Sequence, residues 1–170
     1  MATKNLKSIQ CVIGLANEGQ EYEKTYHSIG AFFAKKLEEL NSQNATPAVV
    51  RFSPPHGFMN QIGEPVVKIL KEKNIQPSQV LIIHDDSDQS IGNFKIVFGG
   101  GSAGHKGVES IVSHLKTEEF WRLKIGIRPK TEAVRKKAGD FVLKKWSKEE
   151  EAIFTALAEK IWEQILPHLA

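Results

Sequence analysis

Cysteine is almost missing from this chain: Cys11 is the only one among 170 residues. An internal disulfide and a cysteine-based metal cluster are thereby excluded, and a reducing compartment fits. Set in the apolar run "IQCVIGL", Cys11 reads as a small buried hydrophobe rather than a nucleophile. Long hydrophobic runs are also missing, which excludes a membrane-spanning helix. "MATKNLKSIQ" lacks the apolar stretch of a signal peptide, so the expected location is the cytoplasm. Complete nucleotide motifs are lacking too. The first glycine turn, "GLANEG", has only Gly14 and Gly19, the second strand "AVVRF" ends without an acid, and "HKGVES" supplies no Gly-Lys-Ser/Thr. Neither dinucleotide nor P-loop chemistry is expected. The sequence shows no internal repeat, low-complexity tract or linker.

What is present is an ordinary globular composition, 41% hydrophobic and 25% charged, at a length suited to a single domain spanning 1–170. Net charge is only +3, but it is unevenly placed. Between residues 120 and 148 ten basic residues, Arg122, Lys124, Arg128 and Arg135 among them, face only Glu132 and Asp140. That segment suits a polyanionic partner or a solvated lysine-rich surface, and composition does not separate the two.

Five short apolar runs read as strands: "SIQCVIGL", "AVVRF", "QVLIIHD", "NFKIVFG" and "WRLKIGIRP". The third is nearly continuous in Val, Leu and Ile, as in a central strand buried on both faces. Helical patterns alternate with them. "TYHSIGAFFAKKLEELN" places Ile29, Phe32, Phe33 and Leu37 on one face, with His27 early in the helix. "QIGEPVVKILKEKN" carries Pro65 in its first turn, "AGHKGVESIVSHLK" is a third helix, and "SKEEEAIFTALAEKIWEQIL" opens with the capping-box pair Ser147 and Glu150. In this last helix Ile153, Leu157 and Ile161 are the expected core positions. The alternation implies an α/β fold: a three-layer α/β/α domain with a mixed, largely parallel sheet.

In such folds the reactive surface lies beyond the carboxyl ends of the strands. There the unusual residues gather: "GLANEG" after the first strand, "HDDSD" after the third, "GGGSAGHKG" after the fourth. His84 ends the central strand beside Asp85, and His105 begins the third helix. His27 and Asp85 follow different strands of one sheet and can meet at its edge. A neutral imidazole takes a proton from water near pH 7, and a carboxylate on its other nitrogen fixes the tautomer. With no second acidic cluster nearby, "HDDSD" reads as support for a histidine rather than as a magnesium site. The glycine-rich stretch reads as the wall of a groove, where small residues let a backbone approach.

The ordered set "GLANEGQEYEKTYHSIG", "GFMNQIGEPV", "IIHDDSDQSIG", "KIVFGGGSAGHKGVESI" and "RLKIGIRP" closely resembles bacterial-type peptidyl-tRNA hydrolase. The resemblance runs from the first strand to about Trp146. It implies an α/β/α sandwich that hydrolyses the ester joining a peptide to the terminal ribose of tRNA, acting as a monomer without metal or organic cofactor. By the same resemblance His27 is the general base and Asp85 its supporting carboxylate. Asn17, Tyr22, Phe58, Met59 and Asn60 then line the substrate groove, and Lys95 and Arg128 are offered to tRNA phosphates. Lys106, also placed toward substrate, stands where the family has asparagine, and Glu18 where it has proline. A non-catalytic RNA-binding relative of the same fold is the alternative reading.

Overall fold

The apolar run "VLII" lies in the middle of the sheet, with successive side chains buried on opposite faces. The structure, a computed structural model, describes residues 9–44, 51–52, 55–131 and 136–169. Ala48–Val50 of the second apolar run, and Glu132 and Arg135 of the basic segment, lie outside the described residues. Five strands, β1 (Cys11–Gly14), β2 (Arg51–Phe52), β3 (Val80–Ser90), β4 (Phe94–Phe98) and β5 (Trp121–Arg128), form one sheet in the order β2-β1-β3-β5-β4. All neighbouring pairs are parallel except β4–β5, which is antiparallel, so the sheet is mixed and largely parallel as expected.

Among the described residues four α-helices cover it: α1 (Ile29–Gln43), α2 (Gly63–Glu72), α3 (Lys106–Leu115) and α4 (Lys148–Ile165). Alternation along β3 sorts the layers. Leu81 and Ile83 join Phe33 and Leu37 of α1 and Phe154 and Ile161 of α4 in one cluster. Val80 and Ile82 join Val66 of α2 and Val108 and Ile111 of α3 in the other. Cys11 is fully buried in that second cluster. Among the described residues no helix is long and apolar enough to cross a membrane.

Three local expectations are corrected. The central strand does not end at Asp85 but runs to Ser90, with a register shift against β5 between Asp86 and Ser90. Its polar end is stabilised by side chains: Asp86 Oδ1 accepts from the Asp88 amide at 2.9 Å, and Arg128 Nε donates to the Ser87 carbonyl at 2.6 Å. His27 does not lie inside α1. Tyr26–Ser28 form a 3-10 turn ahead of it, because the Tyr26 and His27 amides donate to the Lys144 and Val142 carbonyls at 3.0 and 2.7 Å. In α4 the buried stripe is Phe154, Leu157, Ala158, Ile161, Trp162 and Ile165, and Ile153 is exposed. The capping box at its start forms, with Glu150 N donating to Ser147 Oγ at 3.1 Å and Ser147 N to Glu150 Oε2 at 2.9 Å.

The position of α1 is set by backbone contact. A Cβ on Gly30 would overlap the Ile83 carbonyl and the Leu15 backbone, and one on Gly14 would overlap the Gly30 carbonyl. The helix therefore lies directly on β1 and β3, and this holds the turn carrying His27 over Asp85 in the middle of β3. Gly30→Ala is expected to lower the unfolding free energy by about 3 kcal/mol, since neither backbone can yield without moving a layer. A urea denaturation midpoint equal to that of the wild type would show that α1 is not held by this contact.

Candidate active site

Where the 3-10 turn passes the middle of β3, His27 Nδ1 lies 2.9 Å from Asp85 Oδ1. The pair named from the sequence is thus brought together. Asp85 is only 3% exposed, so its charge needs donors from the protein. Burial opposes ionisation, yet the imidazoles of His105 and His27 outweigh it and hold the carboxyl well below the usual carboxylate range. An ionised Asp85 accepts only, so the His27 proton sits on Nδ1 and the Nε2 lone pair remains for the cleft.

The same oxygen has a second partner, which the sequence did not single out as a site residue: His105 Nε2, at 2.7 Å. Its other nitrogen, Nδ1, accepts from the Gly107 and Val108 amides at 3.1 and 3.3 Å, so His105 is the N-cap of α3. The only sequence signal for it was position, a histidine immediately before a helix at the carboxyl edge of the sheet. Behind it, His84 donates from Nδ1 to the Asp85 carbonyl at 2.8 Å, and its ring meets that of His105 edge-on at 4.7 Å. Burial and the neighbouring His105 push His84 down to about 3, so it is neutral.

His27, Asp85 and His105 each present a ligand-type atom within 4.8 Å of the others. Their 2.7 and 2.9 Å separations are those of hydrogen bonds to one shared oxygen. Tetrahedral zinc, with bonds of roughly 2.1 Å, spaces its ligand atoms by roughly 3.4 Å. The set is arranged as a proton network.

A cleft of about 240 Å³ opens beside it, walled by Ser102, Gly104, His105 and Lys106 on one side and Ala138 and Val142 on the other. The glycine-rich stretch is therefore a wall of this cleft. Gly99 and Gly100 have φ of 70° and 85°, and Arg122 donates to both of their carbonyls at 2.7 and 3.1 Å, fixing the loop from below. Lys106 lines the cleft, with Nζ 3.1 Å from Glu109 Oε2.

The remaining candidates separate. Asn17 Oδ1 accepts the Met59 amide at 2.8 Å, so the donors on Nδ2 are what this side chain offers a ligand. Met59 itself is buried in the α2–α3 cluster; its backbone serves the site while its side chain serves the core. Phe58 is exposed and packs edge-on against Tyr22 at 6.2 Å, forming an aromatic rim. Asn60 is exposed and lines a different, larger cavity of about 720 Å³ that runs along α2 past Glu64 and Lys68. Lys95 is exposed on β4, paired in register with Lys124, which reaches Asp86 at 3.2 Å. Arg128 spends its N–H groups internally: Nε on Ser87, a second nitrogen on the Lys136 carbonyl at 3.1 Å, and its plane 5.3 Å from the Phe141 ring centre.

Known proteins share this arrangement of sequence and fold. The family model described as peptidyl-tRNA hydrolase matches residues 11–169. A curated peptidyl-tRNA hydrolase from a Sulfurihydrogenibium species is 35% identical over 93% of this chain and 89% of its own length. One from Mycoplasma capricolum is 38% identical over 84% of this chain and 83% of its own. A crystal structure of peptidyl-tRNA hydrolase from Acinetobacter baumannii superimposes with a TM-score of 0.80 at 28% identity, covering 94% of this chain and 88% of that one.

The buried histidine behind the site makes stability depend on pH. An unfolded imidazole takes up a proton near pH 6.5, while folded His84 refuses it until about 3. As the pH falls through that window the unfolded state binds more protons, so stability drops by about 1.4 kcal/mol per pH unit from this group. Urea unfolding of wild type and His84→Gln between about pH 7 and 4 checks this: the variant's curve is expected to be flatter by one proton's slope. Parallel curves would refute the assignment.

Proposed function

The chain belongs to the peptidyl-tRNA hydrolase family, and from that premise we propose that it hydrolyses the ester between the peptide and the 3′-terminal ribose of peptidyl-tRNA, with His27 as general base. The observation that carries this reading is the 2.9 Å bond from His27 Nδ1 to a buried, ionised Asp85. It leaves Nε2 as an acceptor for a water proton at the edge of the cleft. Water oxygen attacks the ester carbonyl carbon while its proton passes to Nε2. The tetrahedral species then collapses, the bond to the ribose oxygen breaks, and that oxygen leaves with the proton held by His27. Asp85 stays ionised throughout and stabilises the transient imidazolium.

Negative charge develops on the carbonyl oxygen, so donors near the cleft are the groups expected to favour the transition state. Lys106 Nζ and the Nδ2 donors of Asn17 fit that need, and Asn60 would meet the substrate farther along, in the larger cavity. Asn17 also supplies a basis for preferring peptidyl over free aminoacyl groups: an amide carbonyl satisfies its donors, whereas an ammonium does not. Tyr22 and Phe58 offer stacking surface to single-stranded RNA. Lys95 is placed for phosphate contact, and Arg128 adds charge while its N–H groups hold Ser87 and Lys136. The reading extends to a cytoplasmic monomer acting without metal or organic cofactor.

Hydrolysis of N-blocked aminoacyl-tRNA tests it. Wild type is expected to turn over with an ascending limb in the imidazole range, and His27→Ala to lose about 10²–10⁴-fold in kcat with its fold retained. Tight RNA binding by the wild type without turnover would assign it instead to the non-catalytic relatives. In the same assay Asn17→Ala is expected to narrow the preference for N-blocked over free aminoacyl-tRNA by about tenfold, and an unchanged ratio would remove Asn17 from that role.

A further inference from the structure

Asp85 Oδ1 takes two hydrogen bonds, and the two donors are not equivalent. His27 Nδ1 faces the oxygen at 2.9 Å, which leaves its Nε2 for the cleft that the ring lines. His105 is engaged at both ends. Its Nδ1 receives two backbone N–H groups, from Gly107 and Val108, at 3.1 and 3.3 Å. A nitrogen that accepts two amides must carry a lone pair, so the proton of His105 is on Nε2, aimed at Asp85 2.7 Å away. A second proton on His105 would set an N–H against those two donors at the positive end of α3.

We propose that His105 is a positioning residue: clamped as the Nε2–H tautomer by the first amides of α3, it acts through Asp85 to leave His27 as the one imidazole of the cleft that takes up a proton. This rests on the reading of His27 as general base. The hydrogen bonds run in one direction, from the α3 amides to His105, from His105 to Asp85, with His27 donating into the same oxygen. The partial positive charge of the helix end is thereby relayed to the carboxylate. Asp85 remains a charged acceptor whether or not His27 is protonated, which a base that cycles its proton in each turnover needs.

The charged and titratable neighbours are consistent with that assignment. From β3, His84 meets the His105 ring edge-on and is neutral. From α3, Lys106 is paired with Glu109. From β5, Lys124 is paired with Asp86, and Arg122 is turned onto the Gly99 and Gly100 carbonyls. Asp88 lines the same cleft. The segment bonded to the His27 amide lines the cleft with Ala138, Gly139 and Val142, and its charges, Lys136, Lys137 and Asp140, are exposed.

The test is ¹⁵N NMR of the histidine side chains in the intact, substrate-free chain, with pH–rate profiles for wild type and His105→Asn. Asparagine is a good N-cap, so the variant keeps α3 started while losing the reach to Asp85. In the wild type His105 should show a protonated Nε2 and a bare Nδ1 on both sides of the ascending limb of the rate profile. In His105→Asn, kcat should fall about tenfold at similar KM, and the ascending limb should move up by about half a pH unit, because a carboxylate with one donor fewer attracts the His27 proton more strongly. A merely structural residue would lower activity and melting temperature together and leave the limb in place. His105 carrying its proton on Nδ1, His105 titrating alongside His27, or an unmoved limb in the variant would each overturn the proposal. A wild type that shows these tautomers but no turnover would overturn the hydrolytic reading on which the role depends, and the NMR result identifies that case separately.

Discussion

A carboxylate withdrawn from water must be given hydrogen-bond donors, and at Asp85 this requirement organises the whole edge of the sheet. Both donors to its Oδ1 are imidazoles, one from the turn ahead of α1 and one from the cap of α3. These belong to opposite layers. The single oxygen is therefore the point at which the two helical layers are referenced to each other, and the distance between His27 and His105 is not an independent variable. Removing either donor would leave a buried charge poorly solvated, which is a larger penalty than the loss of one surface contact.

The rest of the fold supplies the rigidity that such a shared acceptor demands. Gly30 brings α1 onto the backbone of β1 and β3, and the Tyr26 and His27 amides are fastened to the Lys144 and Val142 carbonyls. His27 is thereby held from behind by the helix and from the side by the segment leading into α4. His105 is held differently, by the helix it starts. The two imidazoles thus rest on unrelated elements, and a local disturbance of one need not displace the other.

Much of this was legible in the sequence, for a physical reason that also marks where legibility stops. Alternation of apolar runs located the strands and helices, and the connection rule for parallel sheets placed "HDDSD" and the His27 turn at one edge. Those two facts let His27 and Asp85 meet, and the family resemblance singled them out as a pair. His105 did not, because its capping bond depends on the orientation of a side chain at a helix start, and Ser, Thr, Asp and Asn are the residues that signal a cap. In the buried stripe of α4, Leu157 and Ile161 lie where expected and only the first position differs, Phe154 in place of Ile153, since an apolar residue beside the stripe looks the same in sequence as one within it. Met59 and Arg128 show the same limit. Their types suit a groove and a phosphate, but the structure gives the first to the core and ties the second to backbone carbonyls.

Lys106 brings charge to the cleft beside His27 and Asp85, and geometry determines how strongly that charge is felt. Its side chain is 69% exposed and its ammonium is 3.1 Å from Glu109, which also receives Ser102 Oγ at 3.4 Å. An exposed, paired cation acts weakly over distance because solvent and its partner screen it. It stays effective at contact, where a donor meets a developing oxyanion or a phosphate directly. The asparagine that the resemblance implies at this place would offer a donor and an acceptor without charge; lysine keeps the donor, gives up the acceptor and adds a cation that Glu109 offsets. The substitution therefore bears more on the species formed during the reaction than on the resting network around Asp85, whose donors come from His27 and His105 alone among the described residues.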